Sequence, residues 1–123
     1  MAHWGLIALA GALGTLGRAG LGAALATASW PVYTWLANVV GSFAIAAASE
    51  LLGGVQWAGV DAKPIVTTGL LGGFTTYSAF NLETLRMLQG SEWGKGALYL
   101  VGTVVSCVAA GLLGLWLGRL VNA

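Results

Sequence analysis

Four long apolar stretches alternate with three short polar ones along the chain, at about residues 4–26, 34–52, 64–88 and 96–117. The connections between them are 27–33, 53–63 and 89–95. A helix needs roughly 20 apolar residues to cross the hydrocarbon of a bilayer, so each stretch predicts one spanning helix. The six tryptophans test this division. Trp4, Trp30, Trp35, Trp57, Trp93 and Trp116 all fall at or near a predicted end, where an indole keeps its N–H wet and its ring in the apolar layer. Pro31 and Pro64 sit in a connection and at a helix start, where a missing amide is harmless. Gly114 and Gly118, Gly102 and Ser106, and Ala37 and Gly41 are each four apart. That spacing of small residues lets helix backbones approach closely in lipid.

Composition agrees with the pattern. Of the 123 residues, 58% are hydrophobic and 7% charged, whereas a soluble domain carries about a quarter charged residues. A surface so poor in charge belongs in a bilayer. The net charge of +1 lacks the clustered basic footprint of a nucleic-acid binder. Cys107 is the only cysteine, so an intrachain disulfide is excluded and a packing role is the simple reading. Met1-Ala2-His3 has no basic leader region and the first apolar run is long enough to span, so no cleavable signal is expected.

An orientation signal is missing. Four crossings put both termini and the second connection on one side, with Lys63 and Arg119. The other side holds Arg86 and Lys95, and Arg18 lies nearer to it. Basic residues normally set orientation by their excess on the cytoplasmic side. With no clear excess, the chain inserts both ways or a partner decides, and insertion both ways permits an antiparallel homodimer.

The third stretch carries the most unusual pattern. Gly72-Gly73-Phe74-Thr75-Thr76 falls near its centre, and this composition is poor for a continuous helix. A break at that depth frees backbone groups, which persist only when buried in protein, lining a cavity or binding an ion. Freed carbonyls suit a hard cation such as Na⁺; a plain kink at a packing contact is the alternative. Asn38 is a polar amide early in the second span, able to donate to an anion or to bond a neighbouring helix. Arg18 can pair with a carboxylate, attract an anion or extend to the interface. Glu83 and Arg86 are three apart and suited to pair. Tyr99, Thr103 and Cys107 share one helix face, with Ser106 beside it. Tyr77 and Phe80 also share a face; their positive ring edges suit an anion, and packing is the alternative.

The sequence resembles the Fluc/CrcB family of fluoride channels over almost the whole chain. The resemblance rests on Gly17-Arg18, on Asn38-Val39-Val40-Gly41-Ser42-Phe43, and above all on Gly72-Gly73-Phe74-Thr75-Thr76-Tyr77-Ser78-Ala79-Phe80 with Glu83 after it. It implies an all-α membrane protein of four transmembrane helices, the third broken mid-membrane, working as a dual-topology antiparallel dimer with two pores. It further implies a structural Na⁺ on the dimer axis, held by backbone carbonyls of Gly72 and Thr75 and not transported. The fluoride pathway would comprise Asn38, Tyr77, Ser78, Phe80, Tyr99 and Thr103, with Arg18 and Glu83 as vestibule or structural charges. The family pattern differs at four places: phenylalanine at Tyr77, threonine at Ala79, and serine at both Asn81 and Cys107. The Tyr77 hydroxyl either donates to the anion or obstructs it.

The expected function is therefore passive fluoride efflux across the cell membrane by a multi-pass channel, lowering fluoride toxicity in the cytoplasm. A homodimer is the expected state, with a heterodimer containing a paralogue as the alternative. Fluoride is strongly hydrated, and its pore must replace water with preorganised donors while still releasing the ion. An exporter of organic cations would want a carboxylate deep in the first spans, and the first span has none. No nucleophile–base pair or cofactor motif suggests an enzyme. A purely structural subunit, with the working pore supplied by a partner, is the remaining alternative.

Overall fold

The structure is a computed structural model and describes residues 2–123; Met1, part of the Met1-Ala2-His3 start on which no cleavable signal is expected, lies outside them. Helix α1 runs Ala2–Ala24 and α2 runs Val32–Leu51. A two-residue hairpin comes next, β1 (Gln56–Trp57) against β2 (Val60–Asp61). The third apolar stretch is divided. It begins with the short turn α3 (Ala62–Pro64), continues as a π-helical segment Ile65–Leu71, and closes with the short turn α4 (Gly72–Phe74). Thr75 and Thr76 are extended, and α5 (Tyr77–Gln89) begins after them. Helix α6 runs Trp93–Asn122.

Three helices, His3–Ala24, Val32–Leu51 and Trp93–Asn122, are long and apolar enough to cross a membrane. The fourth predicted span, 64–88, is present as two helical pieces and not as one rod. Large apolar side chains cover the outside, among them Leu9, Leu13, Leu16, Val101, Val105 and Leu112. In water such a surface would aggregate; in lipid it is the proper exterior. The hairpin lies within the connection 53–63, a short strand pair in a chain whose expected fold class is all-α. Its turn places Ala58 at φ 51° and Gly59 at φ 76°, the left-handed pair of a type I′ turn. An alanine there costs about 1–2 kcal/mol. Ala58→Asn is expected to stabilise the protein by about 0.5–1 kcal/mol, read as a higher melting temperature in detergent.

The helices pair in parallel. Trp35 lies by Ser106, Phe43 by Gly114, and Ala47 and Glu50 by Gly118, so α2 and α6 run the same way. Gly114 and Gly118 have no Cβ where the α2 backbone and Ala46 come closest, which is the use their spacing predicts. Gly102 has open space instead. Glu50 fastens the far end through Arg119 at 3.4 Å and through Asn122. Likewise α1 runs parallel to the third segment: Gly69 meets Ile7 and Ala10, Gly14 meets Leu70, and Gly73 meets Gly11.

The π segment has a local cause. Ile65-Val66-Thr67-Thr68 is a run of four β-branched residues, which crowd an α-helical turn. The Thr67 hydroxyl also donates to the Lys63 carbonyl at 2.9 Å, occupying the acceptor that an α-helical amide would use. The ladder widens, and the Gly72 amide reaches back to the Thr67 carbonyl, the five-residue step of a π turn.

Candidate functional site

The break lies one step later than the composition suggests. Gly72 is helical, at φ −61° and ψ −37°, and Gly73 is next to it inside α4. Thr75 (φ −85°, ψ 158°) and Thr76 (φ −152°, ψ 117°) are the residues that interrupt the helix. The amide and hydroxyl of Thr75 both donate to the Leu71 carbonyl at 3.0 Å, closing the first piece. The Thr76 hydroxyl accepts from the Ala79 amide at 3.3 Å and so caps α5. Gly41 on α2 has no Cβ where the Thr75 methyl packs, which seats the break against α2.

Asn38 clips the break open. Its Nδ2 donates to the Thr76 carbonyl at 2.9 Å, and its Oδ1 accepts from the Thr76 amide at 2.7 Å. The side-chain amide thus takes the place of a neighbouring strand. This diverts the Thr76 amide from its helical acceptor, the Gly72 carbonyl. In the same way the Ala79 amide goes to Thr76 Oγ1 and not to the Thr75 carbonyl. The Gly73 carbonyl accepts from Arg18 Nε at 3.3 Å and lies 3.5 Å from the Thr15 hydroxyl. Arg18 therefore serves the broken backbone, a role beyond the three left open by the sequence.

Past the break a chain of aromatic rings leads along the protein. Tyr77 meets Phe80 edge-on at 5.8 Å and 79°, and Phe80 meets Tyr99 at 5.2 Å and 64°. Tyr99 continues to Trp30 at 6.5 Å, and Trp30 to Trp35 at 5.8 Å. Phe80 is buried at 3% exposure, whereas Tyr77 stands out at 77%. Glu83, next on the α5 face, accepts from the Tyr99 hydroxyl at 2.6 Å and the Thr34 hydroxyl at 2.7 Å. It turns to these two partners and not to Arg86. The Tyr99 hydroxyl donates to this carboxylate, which leaves its ring to face Phe80.

Two cavities flank this construction. One, of about 360 Å³, holds Asn38, Thr76, Tyr77, Phe80, Thr103 and Cys107 in its lining. The other, of about 520 Å³, is lined by Trp30, Trp35, Lys95, Tyr99, Thr103 and Ser106, among others. Thr103 belongs to both. It is 3% exposed, and its hydroxyl is the only buried side-chain polar atom without a partner among the described residues. A buried hydroxyl without a partner is costly, and this one belongs to a residue that lines both cavities.

Of the residues singled out from the sequence, Asn38, Thr75, Tyr77, Phe80 and Thr103 line the smaller cavity together, and Cys107 joins them. Ser78 is exposed beside Thr76, 3.5 Å from its hydroxyl. Gly72, Arg18 and Glu83 line neither cavity. Sequence reasoning misses Thr34 and Thr76 as functional residues, and it misses the bond from Trp35 Nε1 to Ser106 Oγ at 3.0 Å. Among the described residues no cluster of three or more His, Cys, Asp or Glu is placed to hold a metal.

The comparison with known proteins agrees with the geometry. The family described as "CrcB-like protein, Camphor Resistance (CrcB)" matches residues 5–115. A fluoride-specific ion channel FluC of Sorangium cellulosum is 38% identical over 97% of this chain and 96% of its own length. A fluoride-specific ion channel FluC of Opitutus terrae is 40% identical, over 93% and 87%. One from Thermus thermophilus is 40% identical, over 96% and 96%. With its apolar helices, its interrupted third segment and these relatives, the chain is a membrane protein of the CrcB-like family, whose members are fluoride ion channels and not enzymes.

Proposed function

We propose that this chain forms a fluoride channel in the cell membrane that lets fluoride leave the cytoplasm passively. The observation that carries the reading is the smaller cavity. There Asn38, the rings of Phe80 and Tyr77, and Thr103, whose hydroxyl has no partner, line one space with no cationic side chain among them. Neutral donors and ring edges replace part of the hydration of a small anion without trapping it. Each copy crosses the membrane four times. The parallel pairing of α1 with the third segment, and of α2 with α6, fits four alternating crossings.

The working unit in this reading is an antiparallel homodimer. The smaller cavity lies at the surface of one chain, with Tyr77 exposed on its rim, and a second copy supplies the missing wall. The balanced basic residues permit both orientations. Gly72 and Thr75 fit a structural Na⁺ on the dimer axis, because the helical donors to both carbonyls are diverted to Asn38 and to Thr76 Oγ1. Such an ion would bridge carbonyls of the two copies and hold the break rigid.

Fluoride efflux from liposomes, read with a fluoride electrode, tests the channel. Rapid efflux dependent on the protein is expected; none from a folded dimer with Na⁺ present overturns the homodimeric channel. The melting temperature is expected to rise saturably with Na⁺ and not with K⁺ at matched ionic strength. Equal effects of the two cations overturn the sodium site.

A further inference from the structure

The two cavities lie in series along one face of α6. The larger one takes Lys95, Leu98, Tyr99, Gly102, Thr103 and Ser106 from this helix. The smaller one takes Thr103, Val104, Cys107 and Val108. At about 1.5 Å per residue the larger cavity, Lys95 to Ser106, covers about 16 Å of the helix and the smaller one, Thr103 to Val108, about 7–8 Å, the two overlapping between Thr103 and Ser106. Their junction is Thr103, with its unpartnered hydroxyl. The wide cavity exists because Gly102 contributes no side chain and meets nothing within 4 Å, while Ser106 is turned onto the Gly102 carbonyl at 2.6 Å and onto Trp35.

A cavity of 520 Å³ holds on the order of 15 waters at about 30 Å³ per molecule. A hydrated anion therefore fits within it. The one ionic side chain in its lining is Lys95. The Lys95 amine bonds the Ser29 carbonyl at 3.3 Å and lies 3.5 Å from Glu92. Both partners are exposed, so the pair contributes little to stability. It does set the charge at the mouth of the larger cavity.

We propose that the larger cavity is the access vestibule to the fluoride pathway and that the Lys95–Glu92 pair sets its throughput, with Lys95 drawing anions in and Glu92 moderating that attraction. This inference rests on the fluoride-channel reading. A single charge about 10 Å from the ion's route changes local anion concentration by about two- to five-fold at low ionic strength. The effect disappears once the Debye length falls from about 30 Å at about 10 mM salt to about 3 Å at about 1 M.

Fluoride efflux from liposomes is compared at those two salt concentrations for wild type, Lys95→Gln, Lys95→Arg and Glu92→Gln, after size-exclusion chromatography has checked each assembly. At low salt, Lys95→Gln is expected to conduct about two- to five-fold more slowly, Glu92→Gln faster by a similar factor, and Lys95→Arg like wild type. All four converge at high salt. A conducting wild type whose Lys95→Gln variant shows the same efflux at both concentrations overturns the vestibule while leaving the channel intact. A slowing of Lys95→Gln that persists at high salt assigns the residue a structural role and likewise overturns it. A wild type that does not conduct fluoride overturns the underlying reading.

Discussion

Fluoride efflux is expected to fall by about 100-fold or more when Asn38 is replaced by leucine, with a clear loss of thermal stability. The replacement keeps the branched four-atom outline of the side chain but removes both bonds to Thr76. The Thr76 amide and carbonyl are then left without partners at a depth where water is scarce. Each orphaned group costs about 1–3 kcal/mol, so the broken conformation loses roughly 2–6 kcal/mol relative to alternatives. Because the smaller cavity is built on that conformation, its donors disperse together. Asn38→Asp separates folding from conduction. Its carboxylate still accepts from the Thr76 amide but cannot donate to the carbonyl, and it places negative charge in the cavity lining. It should assemble better than the leucine variant and still not conduct. Efflux in Asn38→Leu within about three-fold of wild type would show that the clip does not hold the pathway together.

The second large effect is expected at Gly14, which has no visible part in ion handling. A Cβ there would strike the Leu70 carbonyl oxygen and lie 2.9 Å from the Phe74 amide nitrogen. Both obstacles are backbone, so neither can rotate away. Gly14→Ala must push α1 off the third segment, at a cost of about 3 kcal/mol or more. Assembled protein should largely disappear from size-exclusion profiles. Gly20 on the same helix has nothing within 4 Å. Gly20→Ala should be neutral, or stabilising by about 0.5–1 kcal/mol through helix propensity. Similar melting temperatures for the two variants would refute the close packing of α1 on the third segment.

These two sites also show what the amino-acid pattern can and cannot disclose. The long helices are legible because lipid requires continuous apolar length and tryptophan marks the ends. The interruption is legible as a disturbance, but its agent is not. Glycine is the weaker helix former, yet Gly72 and Gly73 stay helical and Gly73 serves close packing against Gly11, while Thr75 and Thr76 make the break. Hydroxyl residues are ambiguous in a membrane helix because they can bond their own preceding turn. Thr67, Thr75, Thr84 and Ser106 do so, whereas Thr34 reaches across to Glu83. Only the packing of α2 against α5 separates the two behaviours. Arg18 is similar: its charge draws attention to carboxylates and anions, while the acceptor it serves is the Gly73 carbonyl, beside a break that the residue pattern places only to within Gly72–Thr76.

The wide turn upstream of the break bears on how this chain tolerates changes in length. A π-helical ladder contains more residues per turn than an α-helix, so Ile65–Leu71 works as an absorbed insertion, its extra residue taken up by the wider turns. Shortening the segment by one residue would let the ladder relax to α with Gly73 still turned towards Gly11, because seven π-helical residues sweep about the same rotation as six α-helical ones. The stretch between Lys63 and Thr75 thus has one residue to spare, whereas the same deletion inside α5 would turn everything beyond it by about 100°.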